Sequence, residues 1–203
     1  MSYRGLAVLH IRDGRDQVHA RAIDSALTMV PEPEHHITVD DADHRLGFAG
    51  AIRKGWAEVA ATDAEWVLHH ELDFTFNRPV PVASMIAVLE AHPYLAQIVL
   101  KRQPVNRAEL EAGGIVEQWP DEYRQRTWRG NVWAEHRLFW STNPAVYPAA
   151  WCRQEWPSVA GSEARWSDRL TADADLRFAF WGGVFDAPAV THIGERSADG
   201  TGY

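Results

Sequence analysis

The chain of 203 residues carries 20 basic and 28 acidic side chains, a formal net charge of −8, and 46% apolar residues. That balance argues against sequence-independent binding along a phosphate backbone, which needs a basic surface, although a local basic patch could still hold a nucleic-acid acceptor. The apolar content argues against a disordered chain, the length predicts a single domain over 1–203, and the lone Cys152 excludes an internal disulfide.

A first strand is expected over Gly5–Ile11, entered almost directly from Met1; no signal-peptide pattern precedes it and no apolar run is long enough to span a bilayer, so a cytoplasmic protein without a membrane segment is expected. Arg12–Asp16 reads as a turn. Val18, Ala22 and Ala26 recur at helical spacing over Gln17–Val30, and Pro31 and Pro33 end that helix. His35–Val39 is a second strand, closed by Asp40 and Asp41. Phe48, Ile52, Trp56 and Val59 give a helix over Leu46–Ala60, with Asp43 as its cap. Trp66–His70 is a third strand, Val82–Glu90 a short helix and Leu95–Leu100 a fourth strand. This alternation predicts an α/β domain with a mostly parallel sheet and helices on both faces. Beyond Lys101 the pattern is irregular. Arg137–Ser141 and Ala189–Ile193 read as strands, Ser162–Leu170 as a helix capped by Ser162, and Gly194–Tyr203 as a flap or a frayed terminus.

The chemistry concentrates at Glu71 and Asp73, where an apolar run ends. On an extended backbone, side chains at i and i+2 point the same way. Two carboxylates at the carboxyl end of a strand suit Mg²⁺ or Mn²⁺, with substrate phosphates and water filling the remaining positions.

The order of a strand ending in Asp40-Asp41, a Gly/Ala-rich helix with Arg45 and Arg53, and a strand ending in Glu71-Leu72-Asp73 resembles the sugar-nucleotide-binding half of GT-A-fold glycosyltransferases over roughly residues 5–80. In its size the chain resembles the compact, family-2-like members found in phage and actinobacterial genomes. The resemblance implies a GT-A-like (Rossmann-like) fold, with about 1–100 binding the nucleotide sugar and about 101–203 the acceptor. It places Glu71 and Asp73 on the family's D-x-D metal motif, with glutamate at the first position, and offers His192 as a third ligand. It assigns Asp40 or Asp41 to the nucleoside, Arg45 and Arg196 to the diphosphate, and Glu163 or Asp168 to the base of an inverting reaction.

The expected activity is Mn²⁺- or Mg²⁺-dependent transfer of a sugar from a nucleoside-diphosphate sugar to a hydroxyl of a protein, a glycan or a modified DNA base; the oligomeric state is left open. Two other functions stay open: a nucleotidyltransferase of similar architecture, which would need a glycine-rich basic loop where this chain has Arg12-Asp-Gly-Arg15, and a non-catalytic carbohydrate-binding domain. Each residue also has a plainer reading. Asp40 and Asp41 suit a turn or a helix entry, Glu163 a favourable first helical turn, and His192 the end of a strand. An iron site of His69, Glu71 and His192 would need a β-barrel, against which the α/β first half speaks. Eight of the ten tryptophans follow residue 118; most belong to a core, with Trp156 and Trp181 as candidates for an acceptor cleft.

Overall fold

The computed structural model describes residues 3–12, 15–41 and 46–194. Asp43, Arg45, Arg196 and the rest of 195–203 therefore lie outside the described residues. The chain runs β1 (Tyr3–Arg12), α1 (Asp16–Met29), β2 (Pro33–Asp40), α2 (Gly47–Ala60), β3 (Trp66–Glu71), β4 (Phe74–Phe76), α3 (Val82–Ala91), β5 (Leu95–Leu100) and α4 (Arg107–Ala112). It continues through β6 (Arg124–Trp128), β7 (Asn131–His136), β8 (Ala145–Pro148), α5 (Ser162–Thr171), β9 (Arg177–Trp181) and β10 (Val190–His192), with 3₁₀ turns at Pro120–Glu122 and Ala149–Arg153.

Eight strands form one sheet in the order β2-β1-β3-β8-β5-β9-β7-β6, and β4 pairs with β10 as a separate ribbon. The β1–β2, β1–β3 and β5–β9 pairs are parallel. The β3–β8, β5–β8, β7–β9 and β6–β7 pairs are antiparallel. Hence β7 and β8 oppose the other six strands, and the carboxyl ends of β1, β2, β3, β5 and β9 share one edge. The α/β class and the helices on both faces are as the alternation predicts.

One face of the sheet is Ala7, Leu9 and Ile11 of β1, Val67 of β3 and Phe178 and Phe180 of β9, covered by Ile52, Trp56 and Val59 of α2 and Trp166 and Leu170 of α5. Gly55 lets α2 lie against β1: a Cβ there would sit 2.7 Å from Leu9 Cδ1. The opposite face is Leu6 and Val8 of β1, Leu68 of β3 and Ile98 of β5, covered by Met85, Ile86 and Leu89 of α3 and Phe74 and Phe76 of β4.

The second half departs from expectation in three places. Arg137–Ser141 is not a strand; the strands are β6 and β7, a hairpin whose turn residues Arg129 and Gly130 have φ of 49° and 80°. Two successive left-handed residues make the turn whose twist matches the strands, but Arg-Gly is a weak signal of it. Strand β8 inserts antiparallel between β3 and β5. At α5 the N-cap is Gly161, and Ser162 is buried in the first turn without capping it.

Trp56, Trp140, Trp156 and Trp166 pack against one another in the core, whereas Trp119 is exposed. Trp156 is 1% exposed, with its ring 4.9 Å from Trp56 and 5.5 Å from Trp166, so it lines no cleft. Trp181 is half-buried and packs on the α3 side.

Burial drives several histidines neutral: His10, His69 and His136 fall to about 3, and His70 to about 4. His136 sits among Tyr123, Phe139, Phe178 and Phe180, and its Nδ1 accepts the Leu138 N–H at 3.3 Å. A folded-state value depressed below the unfolded 6.5 means that the unfolded chain binds more protons between the two values. Stability should therefore fall as pH drops below about 6.5, by roughly 2 kcal/mol per such group at pH 5. His136→Phe should flatten part of this slope, as read by urea denaturation at pH 7 and pH 5. An unchanged slope would mean that His136 does not contribute.

Candidate functional site

The carboxyl edge of the sheet gathers Arg12, Asp40, Glu71, Lys101 and Arg102. Strand β3 ends at Glu71 and the chain turns at Leu72–Asp73, with the Leu72 N–H still bonded to the Ile11 carbonyl at 3.0 Å. The turn interrupts the extended alternation that would align Glu71 with Asp73. Both carboxylates are buried, at 5% and 4% exposure.

Asp73 is the better-built of the two. Its Oδ2 accepts from Arg15 Nη2 and from His192 Nε2, each at 3.0 Å. The β4–β10 ribbon brings His192 there, because His192 pairs with Phe74 in register and the Ile193 N–H bonds the Asp73 carbonyl at 2.7 Å. Gln103 then brackets the His192 backbone, accepting its N–H at 2.8 Å and donating to its C=O at 2.9 Å. Gly194 follows; a Cβ there would come within 2.9 Å of Asp73 Oδ2 and 2.7 Å of Arg15 Nη1, so this approach requires a residue without one. Burial alone would raise the Asp73 carboxyl, but the hydrogen bonds and charges of His192 and Arg15 outweigh it and hold it below its usual value. Asp73 Oδ1 is buried and accepts no hydrogen bond among the described residues.

Of the predicted metal residues, then, the structure joins Asp73 to His192. Glu71 instead faces His69, whose Nε2 lies 4.0 Å from its Oε1. Among the described residues, no group of three or more His, Cys, Asp or Glu side chains is placed to hold a metal ion. A divalent ion can be held by one or two carboxylates when phosphates supply the rest, and the orphaned, buried Oδ1 of Asp73 suits that mode.

The two predicted nucleoside residues are engaged within the fold. Asp40 Oδ2 accepts from Arg12 Nη1 at 2.7 Å. Asp41 caps α2: its carboxylate accepts the Leu46 N–H and the Gly47 N–H, the latter at 2.9 Å. The cations of the edge are likewise paired, Arg12 with Asp16 and Asp40, Arg15 with Asp73, Lys101 with Glu117 and Arg102 with Glu109.

Glu163 and Asp168 separate. Five residues apart on a helix, they are about 140° apart around its axis, and Asp168 is exposed whereas Glu163 turns inward. Glu163 Oε1 accepts from the Thr142 N–H at 2.7 Å and from Thr142 Oγ1 at 3.0 Å. Burial pushes its carboxyl up, against the Thr142 hydrogen bonds and the Arg102 charge, which pull it down. A separate groove of about 200 Å³ lies between α1 and β2, lined by His10, Ile23, Leu27, His36 and Thr38 among others; none of the predicted site residues among the described residues lines it.

Arg15, Gln103 and Thr142 were not singled out from sequence. Arg15 had a local cue, the basic loop after the first strand; Gln103 and Thr142 act through contacts 89 and 21 residues away, which no local pattern encodes.

Asp41→Ala should destabilise the protein by roughly 0.5–2 kcal/mol, the usual cost of a lost helix cap, as measured by denaturant titration. Asp73→Asn should leave the circular-dichroism spectrum unchanged but weaken Mn²⁺-dependent binding of a nucleoside diphosphate at least tenfold by calorimetry. Parent-like affinity would remove Asp73 from the metal.

No protein-family model matches this chain, and no curated protein matches it. Among solved structures it is similar to a CMP:2-keto-3-deoxy-manno-octonic acid synthetase complexed with CTP, at 11% identity over 87% of this chain and 88% of that one, with a TM-score of 0.47. At that identity and TM-score the likeness carries no argument about what this chain does.

Proposed function

We propose that this chain is a divalent-metal-dependent transferase of nucleoside-diphosphate sugars that passes the sugar to a hydroxyl acceptor. The observation that carries the reading is Glu163. One of its oxygens is anchored by both donors of Thr142, and burial raises its carboxyl toward the range in which a base works near neutral pH. Its Oε2 has no hydrogen-bond partner among the described residues and would be the oxygen that takes the acceptor's proton.

In this reading the deprotonating hydroxyl oxygen bonds to the anomeric carbon, the bond from that carbon to the diphosphate breaks, and the diphosphate leaves with the electron pair. Asp73, with Glu71, would hold the metal ion, which would offset the charge growing on the leaving group. Arg15, set 3.0 Å from Asp73 Oδ2, would contribute a second positive charge beside the phosphates. The Thr142 hydrogen bonds keep Glu163 from rotating out of line.

Arg15 also favours a second reading. It is a basic side chain delivered to the carboxyl edge from the loop after the first strand, the element that nucleotidyl transfer requires. The two readings differ in product: glycosyl transfer releases a nucleoside diphosphate, and nucleotidyl transfer from a nucleoside triphosphate to a sugar releases pyrophosphate. A panel of nucleoside-diphosphate sugars, and of triphosphates with free sugars, each with and without Mn²⁺, decides between them. Thermal shift first selects the ligand, since one that binds only the folded chain raises its melting point.

With the active donor in hand, Glu163→Gln should leave donor affinity nearly unchanged and slow single-turnover transfer roughly 10²–10⁴-fold, the usual contribution of a general base. Transfer at near-parent rate would remove Glu163 from the chemistry.

A further inference from the structure

Beneath Glu71 lies a buried polar chain that glycosyl transfer as written above does not use. Trp56 Nε1 lies 3.2 Å from Tyr147 Oη, and Tyr147 Oη lies 3.2 Å from His69 Nδ1. His69 Nε2 lies 4.0 Å from Glu71 Oε1. Trp56, His69 and Tyr147 are each no more than 2% exposed. His69 Nε2 has no hydrogen-bond partner among the described residues, so its one polar neighbour named here is the Glu71 carboxylate.

The protons along this chain can be placed. An indole N–H only donates, so Tyr147 Oη accepts from Trp56. The single phenolic proton then has two possible acceptors, His69 Nδ1 and the Cys152 sulfur beside it. Imidazole nitrogen is the stronger acceptor, since thiol sulfur accepts only weakly. With Nδ1 accepting, neutral His69 carries its proton on Nε2. The opposite tautomer would set an Nε2 lone pair against a carboxylate oxygen in a buried site, where such repulsion is poorly screened.

We propose that His69 is a positioning residue for Glu71: Trp56 and Tyr147 fix its tautomer so that an Nε2–H faces Oε1 and orients the carboxylate toward its ligand. The separation exceeds a hydrogen bond by about 1 Å, a distance that a small rotation of the Glu71 side chain closes when the carboxylate takes up a ligand. Fixed outer partners of this kind commonly change metal affinity 10–100-fold. The metal arm of the test rests on the proposed function; the tautomer arm does not.

The experiment uses the full chain labelled with ¹⁵N histidine and ¹³C glutamate. Long-range ¹H–¹⁵N correlation at neutral pH should show His69 with its proton on Nε2, and Tyr147→Phe should weaken that preference, leaving only the part that the Glu71 carboxylate maintains. His69→Gln keeps an N–H near the Nε2 position and His69→Asn does not. The Glu71 carboxyl ¹³C resonance should therefore stay near its parent position in His69→Gln and shift in His69→Asn. Mn²⁺ titration should show near-parent affinity in His69→Gln and a 10–100-fold loss in His69→Asn. A parent His69 protonated on Nδ1, a tautomer indifferent to Tyr147→Phe, or equal effects of the two His69 variants would overturn the proposal. If the parent binds no Mn²⁺ while the tautomer and ¹³C results hold, the metal reading fails and the positioning role stands.

Discussion

Strand β8, Ala145–Pro148, stands alone between β3 and β5. It spends its backbone on both sides, matching Trp66–His69 with one edge and Ile98–Val99 with the other. Without it, β3 and β5 would each expose a long, apolar edge, the kind that proteins ordinarily cover, and the sheet would part into two. Its side chains serve both faces at once: Val146 fills the α3 side, while Tyr147 points under α2 to meet Trp56 and His69. The strand that joins the two parts of the sheet thus also sets the polar chain beneath Glu71.

The first hundred residues were legible because their periodicities are strong and their pairings local in order. The four main strands and three helices read from that part differ from the observed ones by a few residues at their ends; the three-residue β4 was too short to see. The later part was harder for physical reasons. Most of β6 is exposed charge, amide and hydroxyl, Arg124–Thr127, on an edge strand, so no apolar alternation marks it. Strand β8 is only four residues long, and its direction is set by the neighbours that it fills between, not by its own pattern. Most tryptophans read as core, but Trp156 was also a cleft candidate, because composition does not distinguish a ring that stacks on a ligand from one that stacks on another ring.

At the site, the sequence pointed to the carboxyl edge of the sheet, and the structure brings two of the residues it named, Asp73 and His192, together across 119 residues. It did not foresee that the backbone turns between Glu71 and Asp73, because an apolar run ending in Glu-Leu-Asp reads equally well as extended. Nor did it foresee that Asp41 would bond the first N–H groups of α2, since an aspartate there suits a turn equally well. Glu163 differs from Asp168 in its burial and its Thr142 hydrogen bonds, tertiary properties that neighbours in sequence cannot reveal.

The clamp on Asp73 has a consequence for how the protein is made. Arg15 reaches Asp73 across 58 residues and His192 across 119, so its two ligands come from opposite parts of the chain. Contacts of such separation form late, because the chain entropy of closing so long a loop must be offset by structure already in place. During synthesis β1, β2 and β3 can pair while β10 is still unmade. An emerging chain would then carry the Asp73 carboxylate without its histidine, and the finished clamp becomes a mark that both parts of the sheet have been assembled.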